Sequence, residues 1–148
     1  MKTTYKTVKD FLGGASLVKE PISNDHDLVR ISRKGLNIRN LLYLANELSM
    51  SKKDISNILP VSERTLHRYH RYGKNQLLSS DVTDQVIQIA KLYASGIEVF
   101  GDKELFIKWM KLSNIALGGD KPIDLLDTSF GIEMVNDEIG RLEHGIIS

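Results

Sequence analysis

Arg64, His67, Arg68, His70 and Arg71 crowd into VSERTLHRYHR, residues 61–71, of a 148-residue chain whose formal net charge is only +1. A guanidinium presents a fixed fork of donors. That fork matches the acceptor pair on a guanine edge, with about 1–3 kcal/mol of discrimination per good pair, and it also matches phosphate oxygens. Cationic side chains at this density point to nucleic acid. Competing chemistries are poorly served. His67 and His70 stand three apart, which puts both on one helix face. A zinc site needs further Cys or His ligands, yet the chain has no cysteine, and His26 and His144 are distant in sequence. Gly118-Gly119 lies ahead of a helix but lacks the lysine–hydroxyl ending of a phosphate-binding loop. Glu143 and His144 are neighbours, and adjacent helical residues diverge. No nucleophile, base and orienting acid are arranged together. The reading is a protein without enzymatic activity, metal or cofactor.

The elements that position the basic cluster are short helices. Ser51 opens one, with Asp54 in its first turn and Ile55, Ile58 and Leu59 on its apolar face; Pro60 stops it. Ser62 caps the next, from which Leu66 and Tyr69 point inward. Two short helices joined by a tight turn describe a helix-turn-helix, whose second helix enters the major groove by its N-terminal residues. Ser62 and the helix start suit a phosphate. Arg64, Thr65, His67 and Arg68 are the non-core positions of the first two turns. Arg71 and Lys74 lie further along and suit phosphate, as do Lys52 and Lys53 at the start of the preceding helix.

Outside this motif the chain again reads as helical. Residues 1–24 lack periodicity and carry Gly13-Gly14 and Pro21, which suggests a loose arm or a docking segment. Asn24 or Asp25 caps a helix ending before Gly35, and Ile38, Leu41, Leu42, Ala45 and Leu48 define another. Val82, Val86, Ile89, Ala90, Tyr93, Ala94, Ile97 and Phe100 form one stripe of a long helix ending at Gly101. Asp102 caps a helix carrying Leu105, Phe106, Trp109 and Met110, where the single tryptophan reads first as a core residue. After the Gly118-Gly119 turn comes a short helix at 123–126, then a break at Ser129-Phe130-Gly131. A final helix to His144 turns Ile132, Val135, Ile139 and Leu142 to one side. No segment alternates at period two, so the chain reads as all-α with about seven helices. Its expected parts are the arm at 1–24, a helix-turn-helix domain at 25–79 and a helical C-terminal part at 80–148.

Charge divides along the same line. Residues 1–79 carry 14 Lys and Arg against seven Asp and Glu, a net +7, and residues 80–148 carry six against 12, a net −6. Two surfaces with different partners follow from such a split. No apolar run approaches the roughly 20 residues of a membrane span, and Phe11–Val18 is broken by glycines and followed by Lys19 and Glu20. A cytoplasmic protein without a membrane partner is expected.

The stretch from Trp109 to Gly145 resembles the toxin-binding domain of the MbcA/ParS/Xre-type antitoxins. The likeness rests on Trp109, ALGGDKPIDLL, Gly131 with Val135, and GRLEHGI. Upstream, LPVSERTLHR and LSSDVTDQVIQIAKLYASGIEVFGDKE resemble the Xre-like helix-turn-helix and linking helix of the same proteins, so the likeness runs over residues 25–148. Two departures are Pro60 at a turn position often held by glycine, and Met110 where leucine often follows the tryptophan. The resemblance implies a homodimeric antitoxin that holds a cognate RES-domain toxin inactive and represses its own operon by binding operator DNA. NAD⁺ is then the substrate of the toxin, which depletes it, and not a cofactor of this chain. The resemblance also implies that the C-terminal end, carried over by position as Arg141, Glu143, His144, Gly145, Ile146 and Ile147, sits at the mouth of the toxin's active site. The rival expectation is a helix-turn-helix transcription regulator whose C-terminal domain only dimerises or senses a ligand.

Overall fold

A computed structural model of the chain describes residues 2–72 and 76–145. Among them are nine α-helices and two 3₁₀ helices: α1 (Lys2–Phe11), α2 (Gly14–Leu17), α3 (Asp25–Lys34), α4 (Ile38–Glu47), α5 (Lys52–Ile58), α6 (Glu63–Tyr72), α7 (Ser80–Phe100), α8 (Lys103–Met110), η1 (Ile115–Leu117), η2 (Pro122–Asp127) and α9 (Ser129–Glu143). The all-helical reading holds, although the count exceeds the seven expected. The only strand-like pairing among the described residues is an isolated bridge between Asn37 and Leu77.

Most helix starts follow from side chains within four residues. Asn24 accepts from the Asp27 N–H at 3.0 Å. Asn37 and Asn40 form a capping box on α4, and Ser51 and Asp54 form one on α5. Each satisfies donors that the first helical turn leaves without partners. Leu59 closes α5 in extended backbone, the conformation the ring of Pro60 imposes on its predecessor.

The centre of the molecule is α7, which packs against α1, α3, α8 and α9. Its burial exceeds a single stripe: Ile87 and Leu92 are buried along with Val86, Ile89, Ala90, Tyr93 and Ala94. A helix covered on several sides can be apolar on several sides. One cluster of buried side chains runs continuously from Val8 to Ile139.

Residues 2–17, aperiodic in sequence, are α1 and α2. Val8 and Leu12 are fully buried, α1 lies on α7, and Asn40 Nδ2 donates to the Leu12 carbonyl at 2.7 Å. Packing, rather than local propensity, makes this segment helical. The expected break at residues 129–131 is also corrected. Thr128 accepts from the Gly131 N–H at 3.0 Å, so Ser129, Phe130 and Gly131 are the first turn of α9. Leu142, expected to face inward, is 40% exposed.

Candidate functional site

The basic cluster stands on α6. Ser62 Oγ accepts from the Thr65 N–H at 3.1 Å and starts the helix. Fully buried Leu66 holds α6 down, against α4 and α5. With Leu66 inward, the helical repeat turns Arg64, His67, Arg68 and Arg71 outward, and all four are exposed, as are Ser62 and His70. Thr65 is half-buried. Lys53 is exposed and Lys52 half-buried, in the first turn of α5. Lys74 lies outside the described residues. The structure thus brings together a cationic face on α6 and two lysines on α5, with Glu63 in the first turn of α6 as an acidic exception.

Arg68 and Tyr69 make a contact that spacing alone does not reveal. The Arg68 guanidinium lies 5.0 Å from the Tyr69 ring centre, and its NH2 donates to the Tyr69 hydroxyl at 3.4 Å. That hydroxyl donates to Gln76 Oε1. The Gln76 carbonyl accepts from the Ile38 N–H at 2.8 Å, and the Leu36 carbonyl accepts from the Leu78 N–H at 2.7 Å. The far end of α6 is therefore moored to the start of α4 through Tyr69. Sequence periodicity placed Tyr69 simply inward and missed the mooring.

In the C-terminal part, α9 buries Ile132, Val135 and Ile139 and is fixed at its start by Gly131, where a Cβ would meet the Leu125 carbonyl oxygen at 1.8 Å. Arg141, Glu143, His144 and Gly145 are exposed at its end. Ile146 and Ile147 lie outside the described residues. Arg141 also has a partner within α9: its NH1 stands 3.6 Å from Oε2 of Glu138, a carboxylate almost wholly buried one turn back on α9. Oε2 has no hydrogen-bond donor among the described residues, so Arg141 supplies its nearby positive charge. The expected set at this end therefore divides into four exposed residues, one of them paired within the helix, and two that lie outside the described residues. Trp109 is half-buried in an aromatic group, stacked on Phe106 at 5.7 Å and tilted against Phe100 at 5.5 Å, so its packing is that of a structural residue.

The two parts of the chain are tied together. Lys103 Nζ on α8 donates to Glu47 Oε2 on α4 at 2.8 Å, and that bond holds the Glu47 carboxyl below its ordinary range. Lys111 Nζ donates to the Ser49 carbonyl at 2.6 Å. Among the described residues no three His, Asp or Glu side chains converge as a metal site, and no helix is long and apolar enough to cross a membrane.

Comparison with known proteins also divides the chain in two, but between residues 91 and 95, within α7, rather than at 79–80. Residues 27–91 match the family model of the antitoxin Xre-like helix-turn-helix domain, and residues 95–145 match that of the antitoxin Xre/MbcA/ParS C-terminal toxin-binding domain. An Antitoxin Xre of Photorhabdus laumondii is 30% identical over 129 residues, 86% of this chain and 86% of that protein. An Antitoxin Xre of Yersinia enterocolitica is 31% identical over 101 residues, 68% of this chain and 67% of that protein. A Prs ADP-ribosylating antitoxin of Sphingobium is 27% identical over 128 residues, 80% of this chain and 79% of that protein.

Proposed function

The chain belongs to the Xre antitoxin family, and from that premise we propose that it neutralises an NAD⁺-depleting RES-domain toxin with its C-terminal end and, as a homodimer, represses its own operon through α6. The observation that carries the reading is the pair of exposed candidate surfaces on different elements, α6 and the end of α9. A cationic face on α6 is held out by buried Leu66, and the exposed end of α9 belongs to the acidic half of the chain.

In the DNA complex, α6 enters the major groove. Arg64 and Arg68 meet guanine edges, His67 and Thr65 line the same face, and Ser62, Arg71, Lys74, Lys52 and Lys53 engage phosphates. The Tyr69 ring beneath Arg68 restricts that guanidinium before DNA arrives, which lowers the entropy lost on binding. Two-fold symmetry makes the operator palindromic, with half-sites about one DNA turn, or a multiple, apart. At the C-terminal end, Glu143, His144 and Gly145 lead Ile146 and Ile147 into the mouth of the toxin's active site, where apolar side chains exclude the dinucleotide. The net negative charge of residues 80–148 steers a basic partner surface toward this end.

A reciprocal pair of variants tests both halves. Arg64→Ala with Arg68→Ala weakens binding to a fragment of the chain's own promoter and leaves inhibition of the toxin's NAD⁺ consumption intact. Ile146→Asp with Ile147→Asp does the reverse. Equal loss of both activities in the first variant would make α6 a structural helix. Full protection by the second would mean that the tail is not the plug.

A further inference from the structure

The opposite end of α9 carries an apolar surface that the folded chain leaves uncovered. Phe130 is 79% exposed, Met134 is 45% exposed, and Ile115 on η1, which packs on α9, is 96% exposed. Phe130 and Met134 are four residues apart and share a face, whereas Ile132, on the buried face, stands about 200° around the helix from Phe130. Single exposed apolar side chains are ordinary; an aromatic and a thioether one helical turn apart on the same face mark an interaction site. Phenylalanine and methionine are the side chains that interfaces enrich.

The surrounding charge selects the occupant. Glu133 and Asp137 lie on the same side of α9, Asp127 ends η2 two residues before it, and all three are exposed. Between residues 112 and 137 acidic side chains outnumber basic ones five to one. A two-fold contact with a second copy sets a surface against itself, so it would bring this acidic rim onto its own duplicate, which is repulsive. A partner with an apolar pocket ringed by Lys and Arg has no such conflict. The surface also lies within the 95–145 match to a toxin-binding domain.

We infer that Phe130 and Met134 form an anchoring surface for the cognate toxin, separate from the C-terminal tail. This rests on the reading of the chain as a toxin-neutralising antitoxin and adds a second point of attachment to it. Thirteen residues of helix, about 20 Å, separate Phe130 from Glu143. Anchoring and plugging are then divided: the surface supplies residence time and the tail supplies inhibition.

The test uses the full chain and its cognate toxin, with affinity measured by calorimetry and the free chain's mass by sedimentation. Phe130→Ala with Met134→Ala raises the toxin Kd tenfold or more, chiefly through faster dissociation. Promoter binding, helicity and the free chain's mass stay unchanged. Glu133→Lys with Asp137→Lys slows association and flattens its salt dependence. Unchanged toxin affinity in the alanine variant overturns the inference. So does a fall in the free chain's mass, which would assign the surface to self-association. Failure of the parent reading looks different, because the unaltered chain would then not bind the toxin, or the tail variant would inhibit fully.

Discussion

The side-chain amide of Gln85 on α7 donates to the main-chain carbonyl of Ile58, at the C-terminal end of α5, at 2.7 Å. The same nitrogen donates to the carbonyl of Leu126, in η2, at 2.8 Å. One half-buried amide thus joins the first helix of the helix-turn-helix to the part of the chain that matches a toxin-binding domain. With the continuous core, this makes the two halves one mechanical body. Gln85→Leu removes both donors and leaves two carbonyls short of partners. At about 0.5–1.5 kcal/mol net per bond, the loss is about 1–3 kcal/mol. At about 2–4 °C per kcal/mol for a chain of this size, the melting temperature falls by several degrees. Calorimetry checks this, and a single transition is expected in both proteins. A normal melting temperature for the variant would show that water replaces the amide without loss.

Two glycines of α9 provide a paired test. A Cβ at Gly131 would fall 1.8 Å from the Leu125 carbonyl oxygen, a backbone atom that cannot move aside cheaply, whereas at Gly140 it would meet nothing within 4 Å. Gly131→Ala therefore forces η2 and α9 apart and destabilises by about 1–3 kcal/mol or more. Gly140→Ala, with no clash and less freedom in the unfolded chain, is neutral to stabilising by about 1 kcal/mol. Denaturant titrations of the two variants should move in opposite directions from the parent.

Gly131 also marks where sequence reading gives out. Caps were legible because cause and effect lie within four residues: Ser51 with Asp54, Ser62 with Thr65, and Asp102 with Leu105. Gly101 as a left-handed stop was legible for the same reason, at φ 72°. Gly131, by contrast, read as a breaker. Its smallness serves Leu125, a neighbour whose approach only the assembled fold defines. That misreading hid Phe130 in a supposed loop, and with it the most exposed aromatic side chain of α9. Likewise Tyr5, Val8 and Leu12 recur at three and four residues along α1 and just past its end, but lysines, threonines and a following glycine pair mask the pattern. The outward cationic face of α6 was legible because the helical spacing of Leu66 and Tyr69 sets its orientation; the mooring of Tyr69 to Gln76 crosses a loop and was not.

Acid should loosen the tie between the two halves. The Lys103 bond, the leading cause, holds the Glu47 carboxyl below its ordinary value of 4.5. A carboxylate whose folded value is depressed stabilises fully above its unfolded value, and that contribution fades as pH falls through the folded one. Both side chains are about one-third exposed, so solvent screening holds the effect below about 1 kcal/mol. Lys103→Met should narrow the difference in melting temperature between neutral pH and pH of about 3.5, with most of the change on the neutral side. Identical acid sensitivity in variant and parent would remove this pair from the account.

Arg141 illustrates how an exposed residue near a binding end can matter without touching a partner. Its guanidinium, about half exposed, stands 3.6 Å from Glu138, whose side chain is 6% exposed and whose Oε2 has no hydrogen-bond donor among the described residues. Removing the cation leaves a buried carboxylate uncompensated, which is costlier than the net worth of the pair. Arg141→Met should therefore lower the melting temperature and weaken toxin neutralisation together, through fraying of α9. Glu138→Gln removes the charge that needed compensation, so adding it to Arg141→Met should restore most of both. A double-mutant cycle on thermal stability gives a coupling of about 0.5–3 kcal/mol if the pair acts as described. If instead neutralisation stays lost in the double variant while stability returns, Arg141 contacts the toxin directly.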